Sequence, residues 1–198
     1  MMNLDETRNL ISQLQERLSP QVVEAVTEEM VRLGPDVLKL MLHFPEVMIH
    51  PPLRHWVKRI ALRFEPQQVL PTLVETLSHP DWRVTQPARD AIALLGIKAR
   101  DALVENLEFC PSAHGRELTL FCLHRLADPY YYLEIGDKTL VPYIARLAKD
   151  PDEKVRAMAV LVLSRSEAFE AGDVPVAALG DASARVRNEA IGGCGRFC

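Results

Sequence analysis

The sequence is poor in glycine and aromatic residues, and it lacks any long apolar run. Only 9 of its 198 residues are glycine and 6% are aromatic, too few turn-formers and strand-formers for an all-β sandwich or barrel. No apolar stretch approaches the roughly 20 residues of a membrane helix. The charged start, MMNLDETRNLISQLQERL, has no apolar core of a signal peptide. Cysteine is sparse too: Cys110, Cys122, Cys194 and Cys198 form no CxxC, and no histidine pair stands at zinc-finger spacing. A cytoplasmic protein with reduced thiols is the expectation. The formal net charge of -4 gives no global pull toward nucleic acid or an acidic membrane. Nucleotide loops, a nucleophile elbow and zinc-protease helices are also missing, so the sequence offers no catalytic residues, no metal ligands and no cofactor.

What the chain does have is repetition. Leu53, Val57, Ile60, Ala61 and Phe64 recur as Val84, Ala88, Ala91, Ile92 and Leu95 at an offset of 31, and Val155, Ala159, Val162 and Leu163 recur as Val186, Ala190, Gly193 and Cys194 at the same offset. The spacing i, i+4, i+7, i+8 is one face of a helix. Leu118, Phe121, Cys122 and Leu126 make a fifth copy, in a helix starting near Ser112. The gap from there to the Val155 copy is about ten residues too long, and the surplus falls in DPYYYLEIGDK (128–138), an inserted loop.

An amphipathic helix precedes each of the later copies, at 67–78, 98–109, 138–149 and 174–179. Helix-start signals lie at HPDW (79–82), CPSA (110–113), DPDE (150–153) and DASA (181–184), where Asp or Ser caps free N–H groups and Pro costs no hydrogen bond. Most of the 14 prolines sit at such starts. Pro71 and Pro142 fall at the fourth or fifth helical residue, where a kink is expected, and Pro87 lies deeper and should bend its helix. Three further helices, 3–18, 20–33 and 35–44, form an N-terminal helical cap over residues 1–49, ahead of about five helix pairs in 50–198 that form one continuous solenoid domain. The chain stops at GGCGRFC on an apolar, glycine-rich helix, so further repeats or a partner are expected to cover that face.

The string DPDEKVRAMAV (150–160), echoed in HPDWRVTQPARDAIALLG (79–96) and DASARVRNEAIG (181–192), resembles the Asp…Val-Arg…Ala pattern of HEAT repeats. The period resembles the short bacterial HEAT-like class also found in phycobilin lyases. The resemblance implies an all-α fold, an alpha-alpha superhelix: a HEAT/ARM-like, right-handed solenoid of helix pairs. It also implies that the Val-Arg arginines (Arg54, Arg156, Arg187) and the preceding Asp tie neighbouring repeats together. The pattern departs at Thr85, which stands in place of the Arg, and in the third copy, where His114 and Gly115 are read as replacing the Val-Arg pair. Related iron enzymes resembling deoxyhypusine hydroxylase carry repeated His-Glu dipeptides, and this chain has none.

Charge is divided along the repeats. The second helices of the pairs hold fourteen Lys or Arg against five acids. In HEAT-like stacks those helices line the concave face, so a basic groove with an acidic back is expected. The reading that follows is a non-enzymatic interaction scaffold that binds an acidic partner segment through Arg54, His55, Lys58, Arg83, Gln86, Arg89 and Arg116. Tyr130, Tyr131 and Tyr132 in the inserted loop are added as contact residues. Nucleic-acid backbone binding in the groove is the alternative, disfavoured by the net charge. A bilin-lyase-type enzyme is suggested by repeat class alone. His114 and Glu117 share a helix face, His50 and His55 flank a double proline, and Cys194 and Cys198 are one turn apart. Each of these sets offers too few ligands for a metal site. Cys110 and Cys122 are expected to fill core space.

Overall fold

The computed structural model describes residues 9–10, 12–13, 19–44, 51–126, 138–165 and 173–194, the side chains of 51–54, 138 and 194 excepted. Every regular element among them is helical. The chain divides into two compact units, Met1–Ala99 and Arg100–Cys198.

The first unit contains α1 (Pro20–Arg32), α2 (Val37–His43), α3 (Pro51–Ala61), α4 (Pro66–Thr76) and α5 (Trp82–Leu95), with a 3-10 turn at Gly96–Ala99. Ser19 accepts the Val22 N–H at 3.4 Å at the start of α1, and Gly34, at φ +89°, ends the segment that Pro35 restarts. α3 packs on α5, α4 on α5, and α2 touches all three. The apolar stripe predicted for these helices is the core: Val57, Ile60, Ala61, Val84, Ala88, Ala91 and Ile92 are buried with Leu38, Met41, Leu42, Val69 and Leu73. Pro71 and Pro87 both lie inside continuous helices. Gly96, at φ +60°, closes α5 in a backbone conformation that favours glycine.

The second unit holds α6 (Arg100–Phe109), α7 (Ala113–Leu126), a 3-10 turn at Lys138–Leu140, α8 (Val141–Leu147), α9 (Glu153–Ser164), α10 (Asp173–Ala178) and α11 (Ala184–Cys194). They pair as α6/α7, α8/α9 and α10/α11, and the second members α7, α9 and α11 pack side by side. Leu103, Leu107, Leu120, Leu123, Ile144, Val155, Ala159, Val160, Val186 and Ala190 are buried between them. Cys110 and Cys122 are buried free thiols, as expected. Pro142 does not sit four or five residues into its helix. The preceding residues form the 3-10 turn, so Pro142 lies in the first turn of α8, where it costs no hydrogen bond.

Capping explains where the second helices begin. Asp81 accepts the Arg83 N–H at 2.9 Å, Ser112 the Gly115 N–H at 3.2 Å, Asp152 the Lys154 N–H at 2.8 Å and Ser183 the Arg185 N–H at 3.2 Å. Each of the four signals identified in the sequence is thus a working N-cap. No helix among the described residues is long and apolar enough to cross a membrane.

Candidate functional site

The second helices carry most of the residues nominated from the sequence, and their arginines fall into two kinds. One kind is structural. Arg156 donates from Nη1 to the carbonyls of Asp150 and Pro151, at 3.0 and 3.1 Å, and grips both carboxylate oxygens of Asp181 at 2.9 and 3.0 Å. Arg116 repeats the arrangement on the carbonyls of Cys110 and Pro111, both at 3.0 Å, and on Asp150 at 2.8 and 3.1 Å. Each arginine therefore reads its own loop and the aspartate that opens the next repeat's loop. The Arg156 guanidinium holds the Asp181 carboxyl below its usual range, and the Asp181 carboxylate raises Arg156 in turn.

This ladder corrects the third copy. The pair aligned with Val155-Arg156 is Gly115-Arg116, not His114-Gly115, because Arg116 takes the carbonyls six and five residues upstream as Arg156 does. Arg116 was nominated for partner contact, yet its guanidinium is occupied by four acceptors and only 14% of its side chain is exposed. In the second copy Thr85 replaces the arginine, and the loop position taken elsewhere by Asp150 and Asp181 holds His79. Its Nδ1 accepts the Asp81 N–H at 3.1 Å, just as Asp150 accepts that of Asp152 and Asp181 that of Ser183.

Arg187 makes the same two loop bonds, to the carbonyls of Asp181 and Ala182 at 2.8 and 2.9 Å, and of the remaining arginines several are matched with acids from outside the second helices. Arg59 and Arg63 pair with Glu24, at 2.6 and 2.8 Å, and Arg63 also with Glu28. Arg83 folds back on Asp81 at 2.6 Å, holding that carboxyl at about 2. Lys58 and Gln86 converge on Asp90, at 3.9 and 3.1 Å. His55 is exposed and Arg89 half-buried. The surplus of base counted along the second helices is thus much reduced once Glu24, Glu28, Asp81, Asp150 and Asp181 are included. Arg54 lies on α3 with its side chain outside the described set, and Tyr130, Tyr131 and Tyr132 fall outside the described residues, as do His50 and Cys198.

The layer of α7, α9 and α11 presents a feature that counting did not find. Lys154, Arg165 and Arg185 are exposed on it, and Phe121, Met158 and Leu161 of the same layer are half-buried. Arg185 reaches Glu117 at 3.6 Å, His114 reaches the same carboxylate at 3.9 Å, and Arg165 contacts His124 Nε2 at 3.2 Å. A cleft of about 100 Å³ lies between α9 and α11, lined by Leu161, Ser164, Arg165, Glu189, Gly192 and Gly193. The helices approach closely at its wall. A Cβ on Gly193 would run into the Ser164 Cβ and stand 2.7 Å from its Oγ. Among the described residues no group of three His, Cys, Asp or Glu side chains is placed to hold a metal ion.

Helix pairs in register, a second-helix layer and an arginine–aspartate ladder from loop to loop decide the fold. It is that of a HEAT-like helical-repeat protein. Among solved structures, one with this architecture, Cex1p, reaches a TM-score of 0.50 with 14% identity, over 98% of this chain and 42% of its own. A designed armadillo repeat protein in complex with the peptide (KR)4 gives 0.48 at 16% identity, covering 98% of this chain and 100% of its own. The complex of CpcE and CpcF of phycocyanin lyase from a Nostoc species gives 0.42 at 18%, over 96% and 76%. At these identities the likeness concerns the fold alone. No family model matches this HEAT-like chain, and no curated protein does.

Proposed function

We propose that this HEAT-like chain is a non-enzymatic protein-interaction module, and that the α7/α9/α11 layer receives an acidic, partly apolar segment of a partner protein. The observation that carries this reading is the cleft beside Leu161 and Gly192, with Arg165 on its rim and Lys154 and Arg185 exposed on the same layer. Such a surface offers an apolar side chain a place to insert and offers carboxylates charged donors around it. Exposed ion pairs contribute roughly 0–1 kcal/mol, and Arg185, with half of its side chain exposed, meets Glu117 only at 3.6 Å, so an incoming carboxylate can compete for it. The same holds for Arg83 and Lys58 in the first unit, which together with His55, Gln86 and Arg89 make a second acidic-segment contact. The ladder arginines serve the stack instead.

Fluorescence anisotropy with a labelled peptide alternating Glu and Leu tests the reading. The double charge reversal Arg165→Glu/Lys154→Glu is expected to weaken binding by about tenfold or more. Arg83→Glu should weaken it less. Binding that survives the double reversal undiminished would overturn the proposal.

A further inference from the structure

The positions that line the cleft between α9 and α11 carry larger or less polar residues one repeat earlier. The ladder aligns Arg156 with Arg116, an offset of 40, and Val186 aligns with Val155 at 31. On that register Leu161 and Ser164 of α9 fall on Phe121 and His124 of α7, and Glu189, Gly192 and Gly193 of α11 fall on Met158, Leu161 and Val162 of α9. Where α9 has two aliphatic side chains in a row, α11 therefore brings none to the cleft wall. Gly193 cannot regain one, since its Cβ would run into Ser164, whereas a Cβ on Gly192 meets nothing within 4 Å.

The cleft also holds one charge of each sign, from different helices, and the two do not meet. Arg165 turns to His124 Nε2 at 3.2 Å, and among the described residues no ion pair involves the half-buried Glu189. Arg185, one turn before Glu189 on α11, reaches Glu117 instead. A segment acidic throughout would press a like charge against Glu189, while one cation at that point gains a partner. Volume sets the other requirement. An apolar cavity of about 150 Å³ takes a benzene-sized molecule, so the cleft, at about 100 Å³, suits one aliphatic side chain.

We infer that the cleft is a specificity pocket for a single aliphatic anchor, of leucine or methionine size, with an acidic residue on one side of it and a lysine or arginine on the other. Arg165 takes the acidic neighbour, Glu189 the basic one, and the bare wall at Gly192 takes the anchor. Carboxylates farther along the segment meet Lys154 and Arg185. The inference rests on the interaction reading of the α7/α9/α11 layer and narrows the segment that this layer receives.

Three labelled peptides compare these requirements by fluorescence anisotropy. One has a single leucine among glutamates and serines; in the other two the glutamate on one side or the other of that leucine is lysine. One of the lysine peptides should bind about fivefold tighter than the acidic one, and Glu189→Gln in the chain should erase the preference. Replacing the leucine by alanine should weaken binding by about tenfold, and Gly192→Leu in the chain by a similar factor, with little further loss when the two are combined. Should Gly192→Leu fold poorly by circular dichroism, the alanine peptide still reads the pocket. Equal affinity for all three leucine peptides, a lysine preference that survives Glu189→Gln, or indifference to the alanine exchange would overturn the inference. A chain that binds the acidic peptide, loses it on Arg165→Glu/Lys154→Glu and yet shows no lysine preference keeps the interaction surface and loses only the pocket.

Discussion

At the scale of single residues, the two kinds of arginine predict different losses. Arg156 and Asp181 keep only 17% and 15% of their side-chain surface exposed, and Arg156 also satisfies two loop carbonyls. Removing the guanidinium by Arg156→Ala strands an aspartate and two acceptors. The cost should be about 2 kcal/mol, between that of an exposed and a fully buried pair, read as a lower urea midpoint. Asp81 gives the pH dependence. Its folded pKa lies near 2, below the ordinary 3.8, because Arg83 donates to it from side chain and backbone. A depressed carboxyl pKa contributes stability that is complete above the unfolded value and is lost as pH falls through the folded one. Stability should therefore decline between about pH 4 and 2, and Asp81→Asn should flatten that part of the acid limb in a urea series. Asp181 acts in the same sense, since Arg156 lowers its pKa too.

At the scale of elements, the α9–α11 contact turns on Gly193. The sequence pattern places Gly193 where α9 has Val162, and a periodicity argument alone would count it as a weak copy. The structure shows the reason for the smaller residue: Ser164 occupies the space a side chain would need. Gly193→Ala should overpack the contact and cost about 1–3 kcal/mol. Its neighbour Gly192 meets nothing within 4 Å, so Gly192→Ala should instead stabilise α11 by up to about 1 kcal/mol. Thermal or urea unfolding of the two variants should move in opposite directions. Helices and caps were legible because period and capping chemistry are local. The register of the third copy was not, since Gly115 hides the usual Val while Arg116 keeps its role. That role shows only in three dimensions, where Cys110, Pro111 and Asp150 converge on one guanidinium. The kink expected at Pro142 failed for a related reason, because the helix begins later than its hydrophobic pattern.

At the scale of the molecule, charge is where a linear count departs most from the folded chain. Fourteen basic residues on the second helices suggest a cationic track. Folding brings Glu24 and Glu28 from another helix onto Arg59 and Arg63, folds Arg83 back on its own helix cap Asp81, and ties Arg116 and Arg156 into the ladder. Among the described residues, seven of the fourteen (Lys58, Arg59, Arg63, Arg83, Arg116, Arg156 and Arg185) already meet a carboxylate, and the exposed Lys154 and Arg165 share their layer with half-buried Met158 and Leu161, a pattern suited to a peptide and poorly suited to a phosphate backbone. Nucleic-acid affinity depends on how many phosphates are neutralised, with a slope of roughly -0.9 per contact in log K against log salt for duplex DNA. A chain of net charge -4, half of whose second-helix bases already meet a carboxylate, should release few counterions. Gel-shift titration of duplex DNA between low and moderate salt is therefore expected to show weak binding with a shallow slope, on the order of one or two contacts. A slope several times steeper would mean that the exposed pairs open to admit phosphates, and would move the assignment from a protein partner to a nucleic acid.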